Sequence, residues 1–223
     1  MSAIALDLET APSAAALALP YPASDREPPA SYKKEESIAE WRRKDREEWE
    51  TARIKTYSLS PLWGRVVAVG IAREDDLTGE VVTTAHVGLA DADERRLLTA
   101  AWEAVADSDP LVTFNGMGFD LPFLAIRSAI LGVTPSVIVN HLLRRYSWHP
   151  HYDVRMALTN WDQRGRGTMD DACAAFGLPP KTGTGADVWP LVQQGAAETL
   201  AAYVQADAER TLALYTKLCR VFD

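Results

Sequence analysis

The sequence predicts an α/β protein with a mixed sheet. Three observations support this fold class: an alternating strand at residues 3–10, two strand-like segments joined by a turn, and apolar segments of helical period on either side of a further short strand. Strands joined by a tight turn pair antiparallel, whereas strands joined through a helix usually pair parallel. One sheet is therefore expected to contain both arrangements.

Composition is that of an ordinary globular protein. The 223 residues suit one domain, which we expect to span residues 1–223 with an insertion at about 11–60. No run of about 18 apolar residues occurs, so no membrane span is expected, and no secretory signal is visible. Cys173 and Cys219 lie in helical apolar patterns and are expected to be reduced thiols of an intracellular protein.

The net charge of −8 counts against a tight general nucleic-acid binder, which usually has a basic surface. It does not exclude an enzyme that holds only a few nucleotides. Carboxylates of a catalytic site add negative charge, which bound cations would offset.

The first strand carries two carboxylates on one face. Side chains alternate along a strand, so Ile4, Leu6 and Leu8 point into a core, whereas Asp7 and Glu9 point the other way. Adjacent carboxylates repel each other, and a divalent cation would neutralise them. A solvated surface strand can carry the same pair, so a metal site requires further ligands elsewhere.

The next segments are a loop and a charged helix. Residues 12–30 are rich in proline and small residues, which predicts an extended surface loop. Residues 32–56 predict an amphipathic helix, because Ile38, Trp41, Trp49 and Ala52 recur near one side. Its other side is either simply solvated or guides a nucleic-acid strand; the basic residues there are Arg42, Arg43, Lys44, Arg46, Arg53 and Lys55.

The remaining elements follow from apolar runs and turn residues. Residues 65–73 are β-branched and typical of a central strand, and after a turn at 75–79 residues 80–87 return as a hairpin partner. The later elements are a helix at 91–106, a short strand at 111–114, a helix at 120–131, a short helix within 138–146, a capped helix at 168–176, a glycine-rich loop at 181–187 and a helix at 196–221.

Two of these elements carry polar groups suited to a site. Residues 111–120 run from a buried strand through glycines to Asp120, which either caps the next helix or, with Asn115, faces a site at the end of the strand. In the last helix Tyr203 and Asp207 are four residues apart and share one face. An aspartate beside a core-facing stripe is costly unless paired, and a nearby metal ion would satisfy it.

The motifs Asp7-x-Glu9, Asn115-x-x-x-Phe119-Asp120 and Tyr203-x-x-x-Asp207, in this order, resemble those of the DEDD superfamily of DnaQ-like 3′–5′ exonucleases. The tyrosine is typical of the DEDDy branch, since the histidine branch would have His where Ala202 stands. The segments 60–67 and 151–154 are similar to predicted exonucleases related to the proofreading domain of family B DNA polymerases, which are common in phages and bacteria.

The resemblance implies a ribonuclease-H-like fold, a five-stranded mixed sheet flanked by helices, with the charged helix inserted after the first strand. It implies that Asp7, Glu9, Asp120 and Asp207 bind two Mg²⁺ or Mn²⁺ ions, because hard oxygen ligands suit hard cations. One ion would activate a water and the other would stabilise the leaving 3′ oxygen. Tyr203 would orient the water rather than act as base, since tyrosine ordinarily titrates near pH 10.

The implied activity is hydrolysis of single-stranded DNA from its 3′ end, releasing nucleoside 5′-monophosphates in the cytoplasm, either as a cellular protein or as a phage protein in a bacterial cell. The expected partner is single-stranded nucleic acid, DNA being favoured, and no membrane. The expected substrate contacts are Leu8, Thr10, Asn115, Phe119 and Lys181. Two alternatives stay open: an RNA 3′-end exonuclease and a non-catalytic nucleic-acid-binding module on the same fold.

Other candidate groups have simpler interpretations. A proline between His149 and His151, and the lack of a cysteine partner, favour loop or packing roles for these residues and for His141 over a transition-metal site. Asp153 is either a fifth acidic residue near the site or a helix cap. Residues 181–185 do not match the P-loop pattern, so ATP hydrolysis is not supported.

Overall fold

The computed structural model describes residues 2–20, 26–75, 77–162, 164–165, 167–180 and 185–222. Lys181, expected to contact substrate, lies outside these residues. None of the helices in the described ranges is long and apolar enough to cross a membrane.

The described residues form a mixed five-stranded sheet, as predicted. Its strands are β1 (Ile4–Pro12), β2 (Gly64–Glu74), β3 (Val81–Val87), β4 (Leu111–Thr113) and β5 (His151–Asp153). They lie in the order β3-β2-β1-β4-β5. The pairs β1–β2 and β2–β3 are antiparallel, whereas β1–β4 and β4–β5 are parallel. The carboxyl ends of β1, β4 and β5 therefore open at one edge of the sheet, where α/β proteins usually place a site.

Helices cover both faces of the sheet. In chain order they are α1 (Ala14–Leu17), α2 (Glu35–Ser58), α3 (Glu94–Asp107), α4 (Asp120–Leu131), α5 (Val139–Leu142), α6 (Val154–Leu158), α7 (Met169–Ala175), α8 (Val188–Gln194) and α9 (Ala197–Phe222). Helices α3 and α4 bury their apolar sides against one face. Helix α9, with α6, α7 and α8, covers the other.

Strand β1 distributes its side chains between these two layers. Leu6 and Leu8 are buried with α3 and α4, whereas Ala5 is buried with residues of α9. Asp7 and Glu9 have the same parity as Ala5, so they face the α9 layer. The alternation read from the sequence thus directs both carboxylates toward the last helix.

Short elements account for most differences from prediction. Residues 151–153 form β5, which the sequence did not reveal because three residues carry no measurable period. The segment 12–30 was expected to be extended, but it contains the single turn α1, where the Ser13 hydroxyl accepts a hydrogen bond from the Ala16 N–H at 3.2 Å. The helix within 138–146 is the single turn α5, and α8 was not predicted.

The charged helix exists, but its predicted apolar side is at most half-buried. The buried residue of α2 is Asp45, which is 4% exposed and forms an ion pair with Arg26 at 2.5 Å. The apolar residues that recur near one side of the helix are half-buried or exposed: Ile38, Trp41, Trp49 and Ala52. Helix α2 is therefore not inserted into the core, and it packs chiefly beside β1.

Candidate active site

Three carboxylates converge at the open edge of the sheet. Asp7 and Glu9 come from β1 and Asp207 comes from α9, and each offers an oxygen within 4.8 Å of the others. Glu9 is 8% exposed and Asp207 1% exposed, whereas Asp7 is half-buried. Three anionic oxygens held this closely, largely out of water, repel one another, and they match the ligand set that Mg²⁺ and Mn²⁺ prefer. The residues present therefore fit a hard divalent cation.

A glycine in β2 brings α9 to the carboxylates of β1. Gly70 pairs with Asp7 across the β1–β2 ladder. A Cβ atom on Gly70 would overlap the main-chain carbonyl of Val204 in α9. The helix backbone therefore rests directly on the sheet beside Asp7, and Asp207 follows one turn later.

Replacement of Gly70 by alanine is expected to push α9 away from the sheet. Overpacking of this kind costs about 1–3 kcal/mol, which lowers the Tm of a chain of this length by roughly 2–12 °C. Calorimetry measures the change, and the affinity for Mn²⁺ is expected to fall with it. Gly167→Ala is the matched control, because a Cβ there makes only ordinary van der Waals contact. Equal Tm values for the two variants would show that α9 does not depend on Gly70.

Asp120 approaches the same edge from the other side of β1. It is the first residue of α4 and is 4% exposed. The Ile4 N–H donates to the carbonyl of Pro110 just before β4, so the Leu8 N–H, of the same parity, points toward β4 as well. Strand β4 ends at Thr113, and the Asp120 carboxylate accepts the Leu8 hydrogen bond instead.

The surroundings of Asp120 favour its protonated form. Burial raises the pKa of its carboxyl group to about 7, and the negative charge of Asp153 adds to the rise; hydrogen bonds from its own N–H and from that of Leu8 act in the opposite direction. A cation bound nearby would reverse the preference, because it stabilises the ionised form.

The raised pKa of Asp120 predicts a pH-dependent stability in the metal-free protein. Unfolded aspartate titrates near pH 3.9, so between about pH 4 and pH 7 the folded state holds a proton that the unfolded state lacks. The free energy of unfolding therefore decreases as pH rises through this window, by at most about 1.4 kcal/mol per pH unit from this group. In urea unfolding with EDTA, Asp120→Asn should remove that decrease. The exposed Asp107→Asn control should retain it, and an unchanged profile in Asp120→Asn would contradict the assignment.

Asp153 acts as a cap. Its carboxylate accepts hydrogen bonds from the N–H groups of Asn115 and Met117 at 2.9 Å, and from those of Arg155 (3.0 Å) and Met156 (3.3 Å) at the start of α6. Both interpretations of its sequence position hold, since Asp153 caps α6 and its charge also acts on Asp120. By holding the loop between β4 and α4, it positions the residues that precede Asp120.

A groove of about 950 Å³ lies over Asp7, Glu9 and Asp120. One wall carries Asp7, Glu9 and Asp120, and another is formed by α2. Four of the residues expected to contact substrate also line it: Leu8, Thr10, Asn115 and Phe119. Trp189 of α8 lines it as well, which the sequence did not single out as a site residue. The volume lies at the upper end of that of ligand pockets, about 300–1,000 Å³.

Comparison with known proteins identifies the family. Residues 58–223, well over half of the chain, match the family described as a predicted 3′-5′ exonuclease related to the exonuclease domain of PolB. The chain belongs to this family. The resemblance read from the sequence motifs is thereby confirmed. No curated protein matches the chain.

The fold of this PolB-related exonuclease family is also found in a solved polymerase structure. The chain is similar to the family B DNA polymerase from the hyperthermophilic archaeon Pyrobaculum calidifontis, with a TM-score of 0.59 and 20% identity. The similarity covers 98% of this chain and 24% of the polymerase, so the chain spans about a quarter of the polymerase's length. The family match includes Asp120, Tyr203 and Asp207 but begins after Asp7, Glu9 and nearly all of α2.

The structure brings together most of the predicted site residues. Asp7, Glu9 and Asp207 form one cluster, and Asp120 lines the same groove without belonging to the group within 4.8 Å. Tyr203 lies one turn before Asp207 on α9 and is 9% exposed, packed among apolar residues of α8 and β2. The metal-binding and catalytic roles of these residues stay predictions.

Arg210 is a site residue that sequence analysis missed. Its Nη1 donates to Asp207 Oδ1 at 3.1 Å, and its other nitrogens donate to the carbonyls of Pro179 (3.3 Å) and Pro180 (2.8 Å). It thus connects Pro179 and Pro180 to the carboxylate cluster. The signal was available, since Arg210 follows Asp207 at the spacing of one helical turn.

The histidines have packing and loop roles, as expected. His151 is buried, and its ring nitrogens lie 2.8 Å from Thr113 Oγ1 and 2.9 Å from the Leu142 carbonyl; burial lowers its pKa. His149 is exposed and lies 2.6 Å from Asp109 Oδ1. Among the described residues the carboxylate cluster alone has metal-ligand spacing.

Proposed function

We propose that the chain is a metal-dependent 3′–5′ exonuclease that hydrolyses single-stranded DNA from its 3′ end and releases nucleoside 5′-monophosphates. The observation that carries the proposal is the convergence of Asp7, Glu9 and Asp207 within 4.8 Å. Of these residues Asp7 and Glu9 line a groove, together with Asp120. Membership of a predicted 3′-5′ exonuclease family supports the reaction class and the direction of attack.

The carboxylates would hold two divalent ions, Mg²⁺ or Mn²⁺, with Asp7, Glu9 and Asp207 as the central ligands and Asp120 at the groove wall. When bound, the ions supply an activated water and neutralise charge on the phosphate that is attacked. Arg210 holds Asp207 in place. Tyr203, one turn earlier on the same helix, would orient the attacking water through its hydroxyl group.

The groove walls would position the last nucleotide. Leu8 and Phe119 present apolar surface on which a base can lie, and Phe119 is itself supported by Phe123, whose ring centroid is 5.4 Å away. Asn115 lines the groove while its Oδ1 accepts a hydrogen bond from Arg155 at 3.1 Å. Thr10, and Lys181 on a phosphate, complete the proposed contacts.

Digestion of matched DNA and RNA oligonucleotides tests the substrate and product. With Mg²⁺ or Mn²⁺ we expect the DNA to be shortened and nucleoside 5′-monophosphates to appear by chromatography. Faster digestion of RNA would overturn the DNA preference and favour the RNA 3′-end exonuclease. Binding of either oligonucleotide without metal-dependent cleavage would overturn the enzymatic proposal in favour of a binding module.

A further inference from the structure

One face of helix α2 lines the groove, although all but its last residue precedes the family match. Five of its groove-facing residues recur at steps of three or four: Lys44, Glu48, Thr51, Lys55 and Ser58. Glu47, Ala52 and Ile54 flank this row and also line the groove. Residues at this spacing lie on one side of a helix. The sequence left open whether the charges of α2 are solvated or guide a strand, and the structure places a defined subset of them over the carboxylate site.

Helix α2 is held from its other sides. Asp45 pairs with Arg26, and Arg53 donates to the Leu19 carbonyl at 3.1 Å. These contacts anchor the helix to the segment that follows β1. The groove face is therefore a fixed wall rather than a free arm, and it contributes side chains at defined positions.

The groove face of α2 offers cations and apolar surface together. Lys55 is exposed and forms no ion pair with any other described residue. Within the same part of the chain, the ion-pair partner of Lys44 is Glu40, one turn away, at 2.9 Å. The two lysines are 11 residues apart in sequence, about 16 Å along a helix axis, so they reach different points of an extended ligand. Ile54 and Leu59 line the same groove.

We propose that α2 is the strand-binding wall of this exonuclease. Lys44 and Lys55 bind phosphates of nucleotides upstream of the bond that is cleaved, and Ile54 and Leu59 contact the bases of a single strand. The inference rests on the proposed function, because the proposed reaction at the carboxylates identifies the ligand of the groove as a nucleic-acid strand. Phosphates complement the lysines, and base faces complement the apolar residues.

Two acidic residues, Glu47 and Glu48, lie on the same face of α2 and provide a further test of the proposal. Glu47 is paired with Arg43 at 2.6 Å, whereas Glu48 forms no ion pair with a described residue. Glu48 therefore opposes a phosphate backbone in the groove. Its replacement by lysine should strengthen binding of the strand, a gain that misfolding cannot imitate.

The test compares a strand with a minimal substrate as salt is varied. The strand is a long thymidine oligonucleotide, and the minimal substrate is the p-nitrophenyl ester of thymidine 5′-monophosphate, which has no upstream nucleotides. For the strand, log kcat/KM falls with log salt, and each lost phosphate contact reduces that slope by about 0.7. We expect this reduction for Lys44→Gln and for Lys55→Gln, and a steeper slope for Glu48→Lys. Arg42→Gln, an exposed residue of α2 outside the groove, is the matched control.

The two substrates separate failure of this inference from failure of the proposed function. Unchanged hydrolysis of the ester by every variant is expected, since the carboxylate site is intact. If the ester is hydrolysed but the lysine variants keep the wild-type slope of log kcat/KM against log salt on the strand, the chain is catalytically active but α2 is not its strand-binding wall. If wild type hydrolyses neither substrate with Mg²⁺ or Mn²⁺, the proposed function itself is wrong.

Discussion

Asp207→Asn is expected to lower the rate of 3′-end hydrolysis on the order of 10³-fold or more. The side chain is 1% exposed, its oxygen lies within 4.8 Å of oxygens of Asp7 and Glu9, and Arg210 fixes it at 3.1 Å. An amide keeps the shape but not the charge that holds a divalent ion. Loss of metal-based stabilisation of several kcal/mol corresponds to this factor, since each 1.4 kcal/mol is tenfold in rate.

Single-turnover digestion of a DNA oligonucleotide at saturating enzyme measures this effect without a contribution from product release. Glu209→Gln is the control, because it makes the same chemical change two residues away on an exposed part of α9. Glu209→Gln should keep the wild-type rate. A decrease of less than tenfold in Asp207→Asn would show that this carboxylate is not at the reaction centre.

Asp7→Asn is expected to stabilise the metal-free protein and to abolish its stabilisation by metal. In EDTA the three clustered carboxylates repel one another, so removing one charge should raise the Tm. With Mn²⁺ at about 100 times its Kd, the wild type gains about 2.7 kcal/mol, which corresponds to roughly 5–11 °C for a chain of this length.

Differential scanning calorimetry in EDTA and in Mn²⁺ provides both comparisons in one experiment. We expect the order of the two Tm values to reverse: Asp7→Asn has a higher Tm than wild type in EDTA and a lower Tm in Mn²⁺. A neutral substitution elsewhere on the surface should change the Tm in EDTA and the Tm in Mn²⁺ by the same amount. If Asp7→Asn is less stable than wild type in EDTA and responds equally to Mn²⁺, the cluster is not a metal site.

Much of the fold was readable from the sequence because its long elements carry clear periods. The alternation in β1 correctly sent Asp7 and Glu9 to the face opposite Leu6 and Leu8. The hairpin β2–β3 and the helices α3, α4 and α9 followed from apolar patterns and turn residues. The cap predicted for the helix at 168–176 was also confirmed, since the Thr168 hydroxyl accepts a hydrogen bond from the Asp171 N–H at 3.1 Å.

The parts that were not predictable depend on contacts between distant segments. No sequence pattern around Gly70 indicates that the backbone of a distant helix packs against it. The raised pKa of Asp120 requires its burial and the approach of Asp153. The apolar side that the sequence predicted for helix α2 is not buried, so it did not indicate how the helix packs. Only the folded chain places Lys44 and Lys55 at the groove.

The central claim is that the carboxylate cluster supports metal-dependent hydrolysis from the 3′ end. Digestion of a 5′-labelled single-stranded DNA oligonucleotide by the wild-type protein, with Mg²⁺, Mn²⁺ or EDTA, tests it most directly. The proposal predicts a ladder of labelled products that shortens progressively from the 3′ end with either metal and is absent in EDTA. Intact oligonucleotide in both metals, or a labelled mononucleotide released at once from the 5′ end, would contradict it.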